Sequence, residues 1–96
     1  MTREPHWSEG VLRPAPSALG AEIEDEVIVF EQASDAVYGL GGVGRRIWAL
    51  IAEGAHTAEE VAQRLCAEFD ADEAVIRTDL AKILGELSAH GLIESH

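Results

Sequence analysis

The chain is poor in basic residues, poor in aromatics and nearly free of cysteine, and each shortage narrows what it does. Seven Lys and Arg stand against eighteen Asp and Glu, a formal net charge of −11. The mean field of such a surface repels a phosphate backbone. Arg45-Arg46 is the one cationic doublet, and it falls at a helix start, so nucleic acid is disfavoured as a partner. Cys66 has no second cysteine to pair with. It reads as a small buried residue on the apolar face of a helix, since no neighbouring base would activate it as a nucleophile. No apolar run approaches the ~20 residues a bilayer span requires, and Met1-Thr2-Arg3-Glu4-Pro5-His6 has no apolar signal core. The cytoplasm is therefore the expected location.

What is present is a balance of 47% hydrophobic and 26% charged residues over 96 positions, enough for one core. We expect a loose arm over 1–10, with Trp7 docking on the body, and a single domain over 11–96. Its organising stretch is Val37 to Ile51, where a short apolar strand breaks at Gly41-Gly42 and turns into an amphipathic helix. Val11-Leu12-Arg13-Pro14 predicts a first strand, confined to an edge by Pro14 and Pro16. Ser17 to Gly20 reads as a connection. Glu22 to Gln32, rich in β-branched residues, predicts the second strand, with a turn or bulge at Glu24-Asp25-Glu26. Ala33-Ser34-Asp35 turns the chain into a third strand, Ala36 to Leu40.

From Val43 the hydrophobic period lengthens. Val43, Ile47, Leu50 and Ile51 share one helical face, and Gly54 ends that helix. Thr57-Ala58-Glu59-Glu60 is a capping box opening a second helix with Ala58, Val61, Ala62, Leu65, Cys66 and Phe69 inward. Asp70 to Glu73 caps a third, with Ile76, Leu80, Ile83, Leu84 and Leu87 inward and Gly91 at its end; Leu92-Ile93 adds an extended stub. The sum is an α+β domain of winged helix-turn-helix type, an N-terminal three-stranded antiparallel sheet followed by three helices.

Several constellations invite chemistry and fail its requirements. Gly39-Leu40-Gly41-Gly42-Val43-Gly44 matches G-x-G-x-x-G, but dinucleotide binding needs a βαβ unit, and here more helices follow the first. His6, His56, His90 and His96 have no ligand spacing, so no metal is expected. The acidic runs read as solvated turns and caps, and no nucleophile stands with a base. Neither catalysis nor a cofactor is expected. A DNA-reading third helix would carry Arg, Lys, Asn or Gln toward base edges; Arg77 and Lys82 are outnumbered there by Asp72, Glu73, Asp79 and Glu86.

Tyr38-x-Leu40-x-x-x-Gly44-x-x-Ile47-Trp48-x-x-Ile51, then Val61 and Leu65 on a capped helix, then Asp79-Leu80, Leu84, Leu87 and Gly91-Leu92-Ile93, together resemble the PqqD-like family of RiPP recognition elements over roughly residues 22–94. Gly41 stands where the family usually has Asn, which loosens that turn. The resemblance implies a non-catalytic domain that binds the leader segment of a ribosomally made precursor peptide, added as a strand to the third strand beside the third helix. Its most similar branch is the stand-alone leader-binding proteins of lasso-peptide pathways, which work with a separate leader peptidase and a cyclase. The sibling reading is a chaperone that presents its precursor to a radical-SAM enzyme; a winged-helix transcription regulator is the competing class. On this basis Asp35, Ala36, Val37, Tyr38 and Gly39 are expected to supply backbone to the guest strand. Val75, Asp79 and Lys82 are expected to line the groove, with Ile76 and Ile83 flooring an apolar pocket. Tyr38 faces either the groove or the core.

Overall fold

A computed structural model describes residues 10–95, so most of the expected arm over 1–10, including His6 and the docking of Trp7, lies outside the described residues, as does His96. Described are strands β1 (Val11–Pro14), β2 (Ala18–Ile23), β3 (Glu26–Glu31) and β4 (Ala36–Gly41), helix α1 (Val43–Ala52), strand β5 (His56–Thr57), helices α2 (Ala58–Glu68) and α3 (Glu73–Ala89), and strand β6 (Ile93–Ser95). The class is α+β, and the strands form two antiparallel sheets, ordered β2-β3-β4 and β5-β1-β6.

The three-stranded sheet preceding the helices has a different membership from the one the sequence suggests. Glu24-Asp25 is a tight reversal, with Glu24 in the left-handed region at φ 56°, and it divides 22–32 into two strands. Residues 18–20, expected to be a connection, therefore begin β2. The first strand joins neither of them. It lies at the centre of the other sheet, with Val11 and Leu12 opposite Thr57 and His56, and Leu12, Arg13 and Pro14 opposite Ser95, Glu94 and Ile93. Pro14 is tolerated because it occupies the last rung, where the ladder ends.

Alternation then builds the core. Val27, Val29, Leu40 and half-buried Tyr38 point inward from β3 and β4, against Ile47, Trp48, Leu50 and Ile51 of α1. Val61, Ala62 and Leu65 of α2, and Ile76, Leu80, Leu84 and Leu87 of α3, close it from the other side. Phe69 is the C-cap of α2, outside the helix proper, and packs partly buried on the core as Cys66 does. The capping box is present as read: Thr57 Oγ1 accepts from the Glu60 N–H and Glu60 Oε1 accepts from the Thr57 N–H. Asp72 caps α3 by accepting from the Ala74 N–H.

Four carboxylates are held below the ordinary 4.5 by bonds to their charged forms: Glu31 first by the Ser17 hydroxyl, Glu53 by His56, Glu59 by Arg77 and Glu60 by the Thr57 N–H. A group depressed in the folded state adds stability above its unfolded pKa, and that stability is lost as pH falls through the folded value. The urea midpoint is expected to be level near neutrality and to fall steadily from about pH 5 to about pH 3. Urea unfolding followed by circular dichroism at stepped pH measures this, and a midpoint unchanged at pH 3 would contradict the assigned bonds.

Candidate functional site

Strand β4 has β3 on one side and no strand on the other among the described residues. Which of its backbone groups are open follows from one bond. The Gln32 N–H donates to the Ser17 carbonyl at 2.9 Å, on the β2 side of the sheet. The N–H and C=O of one antiparallel residue point the same way, and successive residues alternate. Phe30 and Ile28 therefore face β2, while Glu31, Val29 and Val27 face β4. Their partners Ala36, Tyr38 and Leu40 direct backbone groups at β3. The outward groups are those of Val37, Gly39 and Gly41.

This sorts the strand residues expected at the site. Val37 and Gly39 carry outward backbone; Ala36 and Tyr38 spend theirs on β3. Gly41, which the sequence reading omitted, joins the outward set. Its signal was available in the period of two, but the phase of that period depends on a long-range pairing. Asp35 precedes the strand with φ 59°, an exposed turn residue.

The helix beside this edge is α3, which runs antiparallel to β4. A Cβ built on Gly44, in the first turn of α1, would lie 3.1 Å from Leu40 Cδ2 and 3.6 Å from Ile83 Cδ1, so β4, α1 and α3 meet at that point. Two strand residues earlier, the Tyr38 ring is 5.5 Å from that of His90, the C-cap of α3, at 49°. Tyr38 thus leans inward, onto the C-terminal end of α3. Ile83 is half-buried against the core and is available as floor, whereas Ile76 is only 2% exposed and belongs to the core. Val75, Asp79 and Lys82 are exposed, and with Glu86 they form one stripe at i, i+4, i+7 and i+11. Val75 is a large apolar side chain left 54% exposed.

The outer face of the same sheet is also apolar. Leu19, Ile23 and Val37 are 56–63% exposed, with Ile28 and Phe30 half-buried between them. On the opposite side of α1 lies a cavity of about 410 Å³ lined by Glu22, Gly42, Arg45, Arg46, Ala49 and Phe69. Its cations are paired, Arg45 with Glu22 at 3.4 Å and Arg46 with Glu68 through two bonds of 2.7 and 3.1 Å. The one cationic doublet is thereby neutralised. Among the described residues no cluster of His, Cys, Asp and Glu has the geometry to hold a metal, and no helix is long and apolar enough to cross a membrane.

Gly39 offers a direct probe of the edge. Its φ is not in the left-handed region, and a Cβ there would meet only Ile28 Cδ1 at an ordinary 3.7 Å. Gly39→Ala removes freedom from the unfolded chain at little native cost, and is expected to stabilise by about 0.4–1 kcal/mol. Thermal unfolding reads it; a lower Tm would mean that this segment of β4 departs from extended geometry.

Comparison with known proteins agrees with this architecture. No curated protein matches the sequence. A solved structure described as TbiB1 in complex with the TbiA(beta) leader peptide superposes with TM-score 0.78 at 32% identity, over 88% of this chain and 96% of that one. A second, lasso peptide synthetase B1 complexed with the leader peptide, superposes with TM-score 0.76 at 20% identity, over 88% and 99%. The family model described as Coenzyme PQQ synthesis protein D matches residues 26–93, from the start of β3 to the start of β6. With that match over most of the fold, and with one structural relative aligned along nearly its whole length, the chain belongs to the PqqD family.

Proposed function

We propose that this protein binds the leader segment of a ribosomally synthesised precursor peptide without catalysing a reaction itself. The leader adds as a strand to β4 and rests against α3. The carrying observation is the open edge, where the N–H and C=O groups of Val37, Gly39 and Gly41 face outward beside Ile83. Strand addition draws affinity from such groups and selectivity from neighbouring pockets, for which Ile83, Val75, Asp79 and Lys82 are the candidate walls. The 32% identical neighbour supports leader binding, and the second neighbour, described as lasso peptide synthetase B1 complexed with the leader peptide, supports the lasso-peptide branch over presentation to a radical-SAM enzyme.

Leader binding is useful when the loaded domain meets processing enzymes, here a leader peptidase and a cyclase acting in the cytoplasm, and raises the local concentration of their substrate. The exposed apolar face of β2-β3-β4 supports that part of the reading. Val37 lies on the strand that would carry the leader, so an enzyme docked on this face would sit beside the guest. A DNA-binding regulator is disfavoured by the net charge of −11 and by the pairing of Arg45, Arg46 and Arg77 with glutamates.

The test is a fluorescence-anisotropy titration with labelled synthetic leader peptides of lasso-peptide precursors, set against a labelled duplex DNA of random sequence. Saturable leader binding that survives moderate salt supports the proposal. Salt-sensitive duplex binding with no leader binding would replace it with the regulator.

A further inference from the structure

Glu31 is a buried carboxylate, 6% exposed, at the end of β3 on the inner face of the sheet. Carboxylates are seldom enclosed unless every oxygen is satisfied. Here Oε1 accepts from the Ser17 hydroxyl at 2.5 Å and the Ala33 N–H at 3.1 Å, while Oε2 accepts from the Ser34 N–H at 2.9 Å and the Ser34 hydroxyl at 3.1 Å. Two of these donors are backbone groups of the turn that launches β4. That turn ends on Asp35, a non-glycine residue at φ 59°, a conformation that needs its surroundings to hold it.

The other partner, Ser17, belongs to the segment between β1 and β2. Its carbonyl accepts from the Gln32 N–H at 2.9 Å, beside its hydroxyl contact to Glu31. The same segment is tied to the end of α3: the Ala18 N–H donates to Ala15 O at 2.9 Å, and the Ala15 N–H donates to Leu92 O at 2.9 Å, just after α3 ends. An unbroken relay therefore runs from the C-terminal end of α3 through Ala15 and Ser17 to Glu31 and on to the turn at Ala33-Ser34. It joins the end of α3 to the start of β4.

We infer that Glu31 is a positioning residue for leader capture, fixing where the open edge of β4 begins relative to α3. The inference rests on the strand-addition reading. Glu31 does not touch the guest: its backbone faces Ala36 within the sheet and its side chain faces the turn. Its effect is to hold the outward groups of Val37 and Gly39 ready, so that the guest does not order them at the moment of binding. A carboxylate suits the task because it accepts from several donors at once.

Glu31→Gln replaces one acceptor oxygen by an NH2 donor that confronts the Ala33 N–H or the Ser34 N–H, neither of which can accept. Ser17→Ala is the milder variant, which removes the hydroxyl link to Glu31 and leaves both the Ser17 carbonyl bond to Gln32 and the turn contacts of Glu31 in place. The experiment measures association and dissociation of the labelled leader by stopped flow, with hydrogen exchange of the free proteins, at a temperature where circular dichroism shows each variant folded. Leader affinity is expected to fall roughly tenfold for Glu31→Gln and about threefold for Ser17→Ala, with the loss mainly in the association rate. Exchange should quicken at the turn and β4 while α1 keeps its protection. Unchanged affinity in both variants overturns the inference, as does quickening spread evenly over the domain, which marks a merely structural carboxylate. Should Glu31→Gln not fold, Ser17→Ala decides alone. If the unaltered protein does not bind the leader, it is the strand-addition reading that fails.

Discussion

Val37→Pro leaves the fold intact and weakens leader binding by about 2–3 kcal/mol, roughly 30- to 150-fold. Position 37 is chosen because its N–H faces away from β3, so a proline there costs the protein none of its own ladder. The proline ring fits the extended backbone of an edge strand, and residue 36 before it is already extended. The guest strand loses a donor and meets a ring where its carbonyl should approach. Tyr38→Pro is the contrasting variant. Its N–H faces β3, so that substitution breaks a native bond and is expected to lower Tm before it reports on the leader.

Among the described residues the sheet has a second open edge, on β2, which makes a specific control available. By the same alternation Glu22 points its backbone outward from β2, and Glu22→Pro should leave leader affinity within about twofold, beyond the loss of one exposed ion pair to Arg45. Calorimetric titration of the three variants against one leader, with circular dichroism to confirm folding, separates the edges. A Val37→Pro protein that binds normally would remove β4 as the docking strand. An effect at Glu22 alone would move the site to β2.

What could be read in advance tracks the distance over which each signal acts. The capping box at Thr57, the Asp72 cap, the helix opening after Gly42 and the turn at Ala33-Ser34-Asp35 are set by residues within four positions of one another, and all were legible. The identity of the outer strands was not. β1 finds its partners at Thr57 and Ile93, more than forty residues away, and a two-residue strand such as β5 has no pattern of its own. Pro14 and Pro16 suggest an edge strand, and the structure corrects this: β1 is the central strand of its sheet, because a strand can be central and still end on proline when its neighbours are two and three residues long. At the site, the resemblance pointed to β4 and α3, while the choice of Val37, Gly39 and Gly41 over Ala36 and Tyr38 needed the phase of the ladder. The inward face of α3 was legible down to Ile76, while the inward lean of Tyr38 toward His90 depended on how α3 lies against the sheet. Glu31 drew no notice because a lone glutamate at a strand end usually faces water.

Gly20 is the residue whose importance was hardest to see, and it carries the second large effect. It sits in the middle of β2, where glycine weakens a strand, and the reason is Trp48. A Cβ on Gly20 would lie 2.4 Å from Trp48 Nε1 and 3.1 Å from Cε2, so the bare backbone of β2 is the seat on which the indole lies. Trp48 is 6% exposed and is the largest side chain joining α1 to the sheet. Trp48→Ala is expected to cost about 3–5 kcal/mol, enough to leave a domain of ordinary stability near its unfolding threshold. Gly20→Ala should cost about 1–3 kcal/mol by overpacking the same contact from the other side. The two are not independent. With Trp48→Phe the shorter ring makes room, so Gly20→Ala on that background should cost at least about 1 kcal/mol less than it does alone. Urea unfolding of the four proteins closes the cycle. Strict additivity would mean that glycine at position 20 serves something other than the indole, and the account of how α1 is held beneath β2 would have to change.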